Sequence, residues 1–184
     1  MSSAPDLSPI ADADWPEAVA DLLPGFAGQL NVYRTMAHGP DLLRAWAPLR
    51  QHVVKDTALG PARSEVVILR TGHALGSPYE WAHHVVRARA CGLSDRRIAA
   101  LRGPVEAMEP EDALIAGAVD ELFGRKALSQ DTQARLTALV GVQGMLDLIA
   151  TVGFYSVLGY LLNSAGTPID HDIAEALERD PLEG

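Results

Sequence analysis

Proline, glycine and serine recur along this chain at the spacing of helix ends, while the apolar–polar alternation that marks strands is almost absent. Proline is tolerated in a helix at its first turn, and glycine ends helices readily because it adopts the left-handed conformation. Read with those rules, Pro16 opens a short helix that stops before Pro24. Asn31 to Ala37 forms another, and Gly39-Pro40 separates it from Asp41 to Lys55. Gly60-Pro61 opens a helix that Gly76 closes, and Ser77-Pro78 opens the next, closed by Gly92. Ser94 caps a short helix to Leu101. Pro110 starts Glu111 to Phe123, which Gly124 closes. Ser129 caps Gln130 to Val140, and a long apolar helix follows from about Val142 to Asn163. The predicted fold is all-α: a compact bundle of about seven to nine helices around a central antiparallel hairpin.

With 184 residues, the chain has room for one domain. We place it at residues 15–165, between a polar, flexible N-terminal arm at 1–14 and an acidic tail at 166–184. The single cysteine, Cys91, excludes a disulfide framework, a Cys-rich zinc site and an internal dithiol pair. A net charge of −9 argues against nucleic acid or an anionic membrane as partner. Met1 to Trp15 carries no Lys or Arg and no long apolar run, so it does not read as a secretory leader, and a cytoplasmic location is expected. The longest apolar stretch, Leu148 to Leu162, is interrupted by Thr151 and Ser156. It is shorter than the roughly 18 residues of a membrane span, and reads as a buried helix or a seam between subunits. Gly153 and Gly159 within it cost about 1 kcal/mol each relative to alanine, which points to close packing of another helix at that level.

Most of the chemical content lies between Pro61 and His84. Glu65 shares a helical stripe with Ile68, Leu69 and Gly72, and a carboxylate in such company must be paired, protonated or facing a cavity. Its other reading is a half-solvated group near a helix N-terminus. On the second helix, Glu80, His84, Arg87 and Cys91 fall on one stripe. Ser77-x-x-Glu80 also has the form of a capping box, in which Glu80 would serve its own helix end and the stripe would be a solvated face. Counted from the turn, Glu65 and His84 are offset by about four residues, roughly 6 Å, a gap suited to a bridging water or small substrate. His83 and His84 diverge by about 100° on a helix, so with Glu80 they do not form a simple metal chelate, and no metal is expected. No phosphate-binding glycine loop or serine-hydrolase motif is present.

Asn31-Val-Tyr-Arg-Thr-Met-Ala-His-Gly-Pro40, the Arg63-Ser-Glu65 helix start, Tyr79-Glu-Trp-Ala-His-His84 and Cys91-Gly-Leu-Ser-Asp95 resemble the carboxymuconolactone decarboxylase and alkylhydroperoxidase D-like family over roughly Gly25 to Gly103. In its peroxidase branch a glutamate is followed twelve residues later by Cys-x-x-Cys-x-x-x-His. Here Glu65 leads by the same steps to Ser77, Glu80 and His84, so both cysteines are replaced while glutamate and histidine keep register. A thiol pair that reduces a hydroperoxide and resolves the sulfenic acid is therefore missing. The decarboxylase branch, with glutamate and histidine at the Glu80 and His84 positions, is the closer match.

The resemblance implies an enzyme without cofactor that decarboxylates or isomerises a small lactone- or carboxylate-bearing molecule, with Glu65, Glu80 and His84 as catalytic groups. Tyr79, Trp81 and His83 would form the pocket wall, and Arg70 or Arg87 would hold a substrate carboxylate. It also implies a homo-oligomer, a trimer or hexamer. The alternatives are a peroxidase using Cys91 with an external thiol, and a non-enzymatic helical oligomer.

Overall fold

The computed structural model describes residues 4–182, and every regular element among them is helical. The α-helices are α1 (Phe26–Gln29), α2 (Asn31–Met36), α3 (Pro40–Gln51), α4 (Pro61–Ala74), α5 (Pro78–Ala90), α6 (Asp95–Ala100), α7 (Pro110–Arg125), α8 (Gln130–Ala165) and α9 (His171–Arg179), with short 3-10 turns between some of them. Proline stands at the first turn of α3, α4, α5 and α7. The Ser77, Ser94 and Ser129 side chains each accept a backbone N–H at the start of α5, α6 and α8. These are the stops and starts expected from the sequence. Two ends differ: α3 stops at Gln51 and a wider π-helical turn, His52–Asp56, follows it where one helix to Lys55 is expected, and α7 runs past Gly124 and closes at Lys126, which takes the left-handed conformation with φ 64°.

Helix α4 is the axis of the molecule. Residues Ser64 to Leu69 are all buried, followed by Thr71 and Gly72, so the helix is covered on every side, as a core helix must be. Val66, Val67 and Leu69 join one apolar cluster with α7 and the first part of α8, while Ile68 joins a second with α2, α3 and Phe154, Tyr155 and Leu158. Antiparallel α5 lies against α4 so closely that a Cβ on Gly72 would come within 3.2 Å of the Glu80 Cβ.

The long apolar element α8 contains a break. Gly141 has φ 71° and ψ 175°, a conformation that glycine reaches without a Cβ clash, and the helix divides there. Although α8 has the length and composition to cross a membrane, half of its most apolar window is buried inside the bundle. Gly159 meets the expectation of close packing, since a Cβ there would lie 2.7 Å from Leu75 Cδ1. Gly153 does not: nothing lies within 4 Å of the place its Cβ would take.

The described part of the N-terminal arm, expected to be flexible, is docked, and so is the acidic tail. The Ile10 N–H donates to the Arg34 carbonyl, and the Arg34 guanidinium donates to the Ile10 carbonyl and pairs with Asp12 at 2.6 Å. Residues 1–3 and 183–184 lie outside the described residues. At the other end, Asp170 enters the protein ahead of α9. Its Oδ1 accepts the Asn31 N–H at 3.0 Å, and Oδ2 accepts from the Tyr79 hydroxyl and lies 2.8 Å from His83 Nε2. Burial pushes the Asp170 carboxyl up, but the donors from His83, Tyr79 and Asn31 outweigh it and hold the group below the ordinary carboxylate range.

Replacing Asp170 by Ala strands these buried donors, and we expect a loss on the order of 3 kcal/mol in urea unfolding. Because the folded value is the lower one, this stabilisation is complete above about pH 4 and fades as pH falls through the folded value. Asp170→Asn should therefore flatten the acid limb of the stability–pH curve; an unchanged acid limb would show that the network does not anchor α9.

Candidate active site

Glu65 occupies the second turn of α4 and His84 the second turn of α5, and the hairpin turns both inward. Glu65 is 9% exposed and His84 3%. Their side chains meet directly, with His84 Nδ1 2.6 Å from Glu65 Oε2. The axial offset read from the sequence is thus spanned by the length of the two side chains, and no bridging molecule is needed. Glu80, 3% exposed, lies on the other side of the ring, its Oε2 3.5 Å from His84 Nε2.

The capping box is only half formed. Ser77 Oγ accepts the Glu80 N–H at 3.5 Å, but the Ser77 N–H is bonded to the Gly72 carbonyl and the Glu80 carboxyl does not return to it. That carboxyl points inward, where its Oε1 is buried without a hydrogen-bond partner among the described residues. Burial pushes the Glu80 pKa up to about 8, Arg87 opposing and Glu65 adding to the rise. Burial likewise lowers the His84 value, against the pull of Glu65. The consistent proton arrangement at neutral pH is a protonated Glu80 donating toward Nε2 and a neutral His84 donating from Nδ1 to Glu65. A void of about 20 Å³ beside Glu80, His84 and Tyr155 has room for one water.

Only Glu65 of the three reaches the main cavity, which measures about 610 Å³. Its polar wall consists chiefly of Glu65, Arg50, Lys55, Arg87, Cys91 and Tyr155, with Phe26, Val53 and Ile68 among the apolar surfaces. Arg50 is held by its Nε–H donated to the Tyr33 hydroxyl at 3.2 Å and by the Phe26 ring, 4.3 Å from its guanidinium carbon. Arg87 faces the cavity and makes no hydrogen bond or ion pair among the described residues. Tyr155 sets its ring edge-on to His84, with centroids 5.0 Å apart. The rim formed by residues 52–58 is fastened by Asp147 of α8, which accepts from Ala58 N–H at 2.7 Å and Thr57 Oγ1 and lies 2.9 Å from His52 Nε2.

Of the five residues expected to contact substrate, Arg87 alone lines this cavity. Tyr79 and His83 are committed to Asp170, and the second His83 nitrogen faces the Tyr79 carbonyl at 2.9 Å. Arg70 is engaged by Asp120 and by the Leu101 and Gly103 carbonyls. Trp81 lies on another face of the hairpin beneath Arg102, whose guanidinium carbon is 4.0 Å from the ring centroid. Arg50, Lys55 and Tyr155 were not singled out from the sequence. Arg50 and Lys55 sit outside any motif, and Tyr155 reads there as one more member of an apolar helix.

Comparison with protein-family models matches residues 40–118 to the carboxymuconolactone decarboxylase family. No curated protein sequence matches significantly. Among solved structures, an uncharacterized peroxidase-related protein from Ralstonia eutropha JMP134, described as an alkylhydroperoxidase AhpD core, superposes with a TM-score of 0.73 at 17% identity, over 92% of this chain and 96% of that one. The debrominase Bmp8 superposes at 0.71 and 14% identity, over 97% of this chain and 99% of its own as a cysteine-to-alanine variant bound to 2,3,4-tribromopyrrole. Without ligand it covers 94% of this chain and 96% of its own, at the same TM-score and identity. These likenesses establish the fold. The matched segment holds the Glu65–His84 hairpin, and over it the chain is similar to the carboxymuconolactone decarboxylase family, with no pair of cysteines.

Proposed function

We propose that the protein is an acid–base enzyme that decarboxylates or isomerises a small anionic molecule, lactone- or carboxylate-bearing, in the cavity between α3, α4 and α5. The observation that carries this reading is Glu65 at the cavity wall, bonded at 2.6 Å to a buried imidazole, with the unpaired Arg87 on the same wall. Arg50 and Arg87 hold the anionic group, for which guanidinium geometry is well suited. Glu65 exchanges the proton with substrate, His84 passes it, and Glu80 stores it. In a decarboxylation, the C–C bond to the carboxylate breaks and its electron pair remains on the substrate carbon, delocalised into a conjugated carbonyl. Glu65 takes the His84 Nδ1 proton and delivers it to that carbon, Glu80 replaces it on the imidazole at Nε2, and water reprotonates Glu80. Carbon dioxide leaves and one proton is taken up. An isomerisation uses the same residues with the proton removed at one carbon and returned at another.

A second reading draws on Cys91, which lines the same cavity, and on the peroxidase-related neighbour. Burial, and then the nearby Glu65, push its thiol pKa up, which disfavours the thiolate that peroxide reduction requires.

Glu65→Gln and His84→Gln should remain folded and each lose about 10²–10⁴-fold in turnover, measured as acid loss from a panel of lactones and conjugated carboxylic acids. The two losses should be non-additive, since each group sets the other's protonation. Cys91→Ser should stay within a few-fold of wild type; collapse of hydroperoxide consumption in that variant, with no acid loss in the parent, would establish the peroxidase reading instead. Arg87→Gln should raise KM by about tenfold or more, the worth of a charge-assisted hydrogen bond.

Glu80 makes a separate prediction about pH. Its folded pKa lies above the unfolded one, so the folded protein keeps a proton that the unfolded chain releases, and stability declines from about pH 4.5 to about 8. Glu80→Gln should remove that decline and be more stable than wild type at pH 8 by a few kcal/mol. An infrared band from a protonated carboxylic acid at pH 7 should vanish in the same variant; a wild type without that band would refute the stored proton.

A further inference from the structure

We infer that Tyr155 is the proton intake of the site: its hydroxyl, with one water held in the void beside Glu80, carries protons from the main cavity to Glu80 Oε1. The inference rests on the stored proton of the reading above and adds the path by which that store is refilled. Glu80 faces His84 through Oε2, whereas Oε1 is enclosed without a hydrogen-bond partner among the described residues. A buried carboxyl oxygen left bare is costly. The adjoining void of about 20 Å³ is large enough for the water that would satisfy it. Such a water needs further polar partners, and Tyr33 and Tyr155 line the same void. The Tyr33 hydroxyl accepts from Arg50 and keeps its own proton to give. The Tyr155 hydroxyl makes no hydrogen bond among the described residues and, unlike Glu80 Oε1, is not fully enclosed. A buried hydroxyl without a partner is unfavourable on an apolar helix, and conduction accounts for its presence.

Three residues, Leu30, Arg87 and Tyr155, line both the void and the main cavity and so form the partition between them. The Leu30 side chain has no exchangeable proton, and a guanidinium does not release one. Tyr155 alone of the three can pass a proton, because a phenol oxygen donates and accepts at one atom. The rest of the void wall offers no second entrance. Val32 and Leu158 are apolar, the Tyr79 hydroxyl is taken by Asp170 and the Val32 N–H, and both His83 nitrogens are engaged. Tyr33 is fed by Arg50, which holds its protons.

Burial first, and then Glu80, Tyr33 and Glu65, push the Tyr155 pKa well above its ordinary value, with Arg87 opposing. A free phenolate is thereby disfavoured, and the transfer is concerted. The phenol proton passes to the void water as that water gives one to Glu80 Oε1, and the phenol oxygen takes a proton from water in the cavity. Each O–H bond broken is matched by one formed. The net change is a protonated Glu80 and one proton fewer in the cavity solvent.

The full chain is mixed rapidly from H2O into D2O at pH 6, about two units below the Glu80 value of about 8, and followed by infrared spectroscopy. The signal is deuteration of the carboxylic-acid band that Glu80→Gln removes. Tyr155→Phe should keep this band and the far-UV circular dichroism spectrum, yet slow the deuteration on the order of 10²-fold. Tyr155→Met, a second variant of different shape, should slow it equally. Adding Leu30→Ala to Tyr155→Phe opens the partition and should restore fast deuteration, which a merely structural role for the tyrosine does not predict. Deuteration as fast in Tyr155→Phe as in wild type, or slowed by Tyr33→Phe or Glu65→Gln in its place, would overturn the intake and leave the stored proton standing. A wild type without the band would remove the stored proton, and this inference with it.

Discussion

The close approach of α4 and α5 at Gly72 sets the geometry of everything around it. With no Cβ at that position, the first turn of α5 comes to rest against α4. Glu80 then has its Cβ pressed against the central helix, and its carboxyl extends into the interior rather than back to the Ser77 N–H, which the Gly72 carbonyl has already taken. One turn further along, His84 is carried into reach of Glu65. A larger residue at position 72 would separate the helices and break the chain of carboxyl, imidazole and carboxyl at both of its joints. Packing and proton chemistry are therefore two aspects of one contact.

The surroundings of that contact divide the polar work. Asp170 and Asp147 are buried carboxylates, and each gathers donors from segments far apart in the chain: α2 and α5 in one case, the 52–58 rim in the other. Their task is to hold elements in place, and their hydrogen bonds are filled. The cavity wall is the opposite case. Arg87 stands there without a partner and Arg50 with only its Nε engaged, in a protein whose total charge is −9. On the function proposed above, these unpaired cations are what would draw a small anion into the cavity.

Local rules explain what was legible in the residue order. Pro40, Pro61, Pro78 and Pro110 open helices, Ser94 and Ser129 cap them, and Gly141 breaks the long one, because each acts through its own backbone and immediate neighbours. The meeting of Glu65 with His84 was legible as register on a hairpin, though not as a direct bond. The roles of Tyr79, His83 and Arg70 were not. Their partners, Asp170 and Asp120, are 50 to 91 positions away, and nothing in the hairpin's own pattern indicates that those carboxylates will claim them. Glu80 was ambiguous for the converse reason, since Ser77 completes its half of the cap whichever way the glutamate turns.

The solitary cysteine has a use that does not depend on what reaction the protein catalyses. Cys91 lies on the wall of the main cavity and is the only thiol in the chain. Its alkylation rate is consequently a direct gauge of how full that cavity is, with no competing sulfur to subtract. Any small molecule that slows the labelling in proportion to its concentration declares itself a ligand and yields its affinity. Substrates for the cavity can thus be sought by occupancy first and by chemistry afterwards.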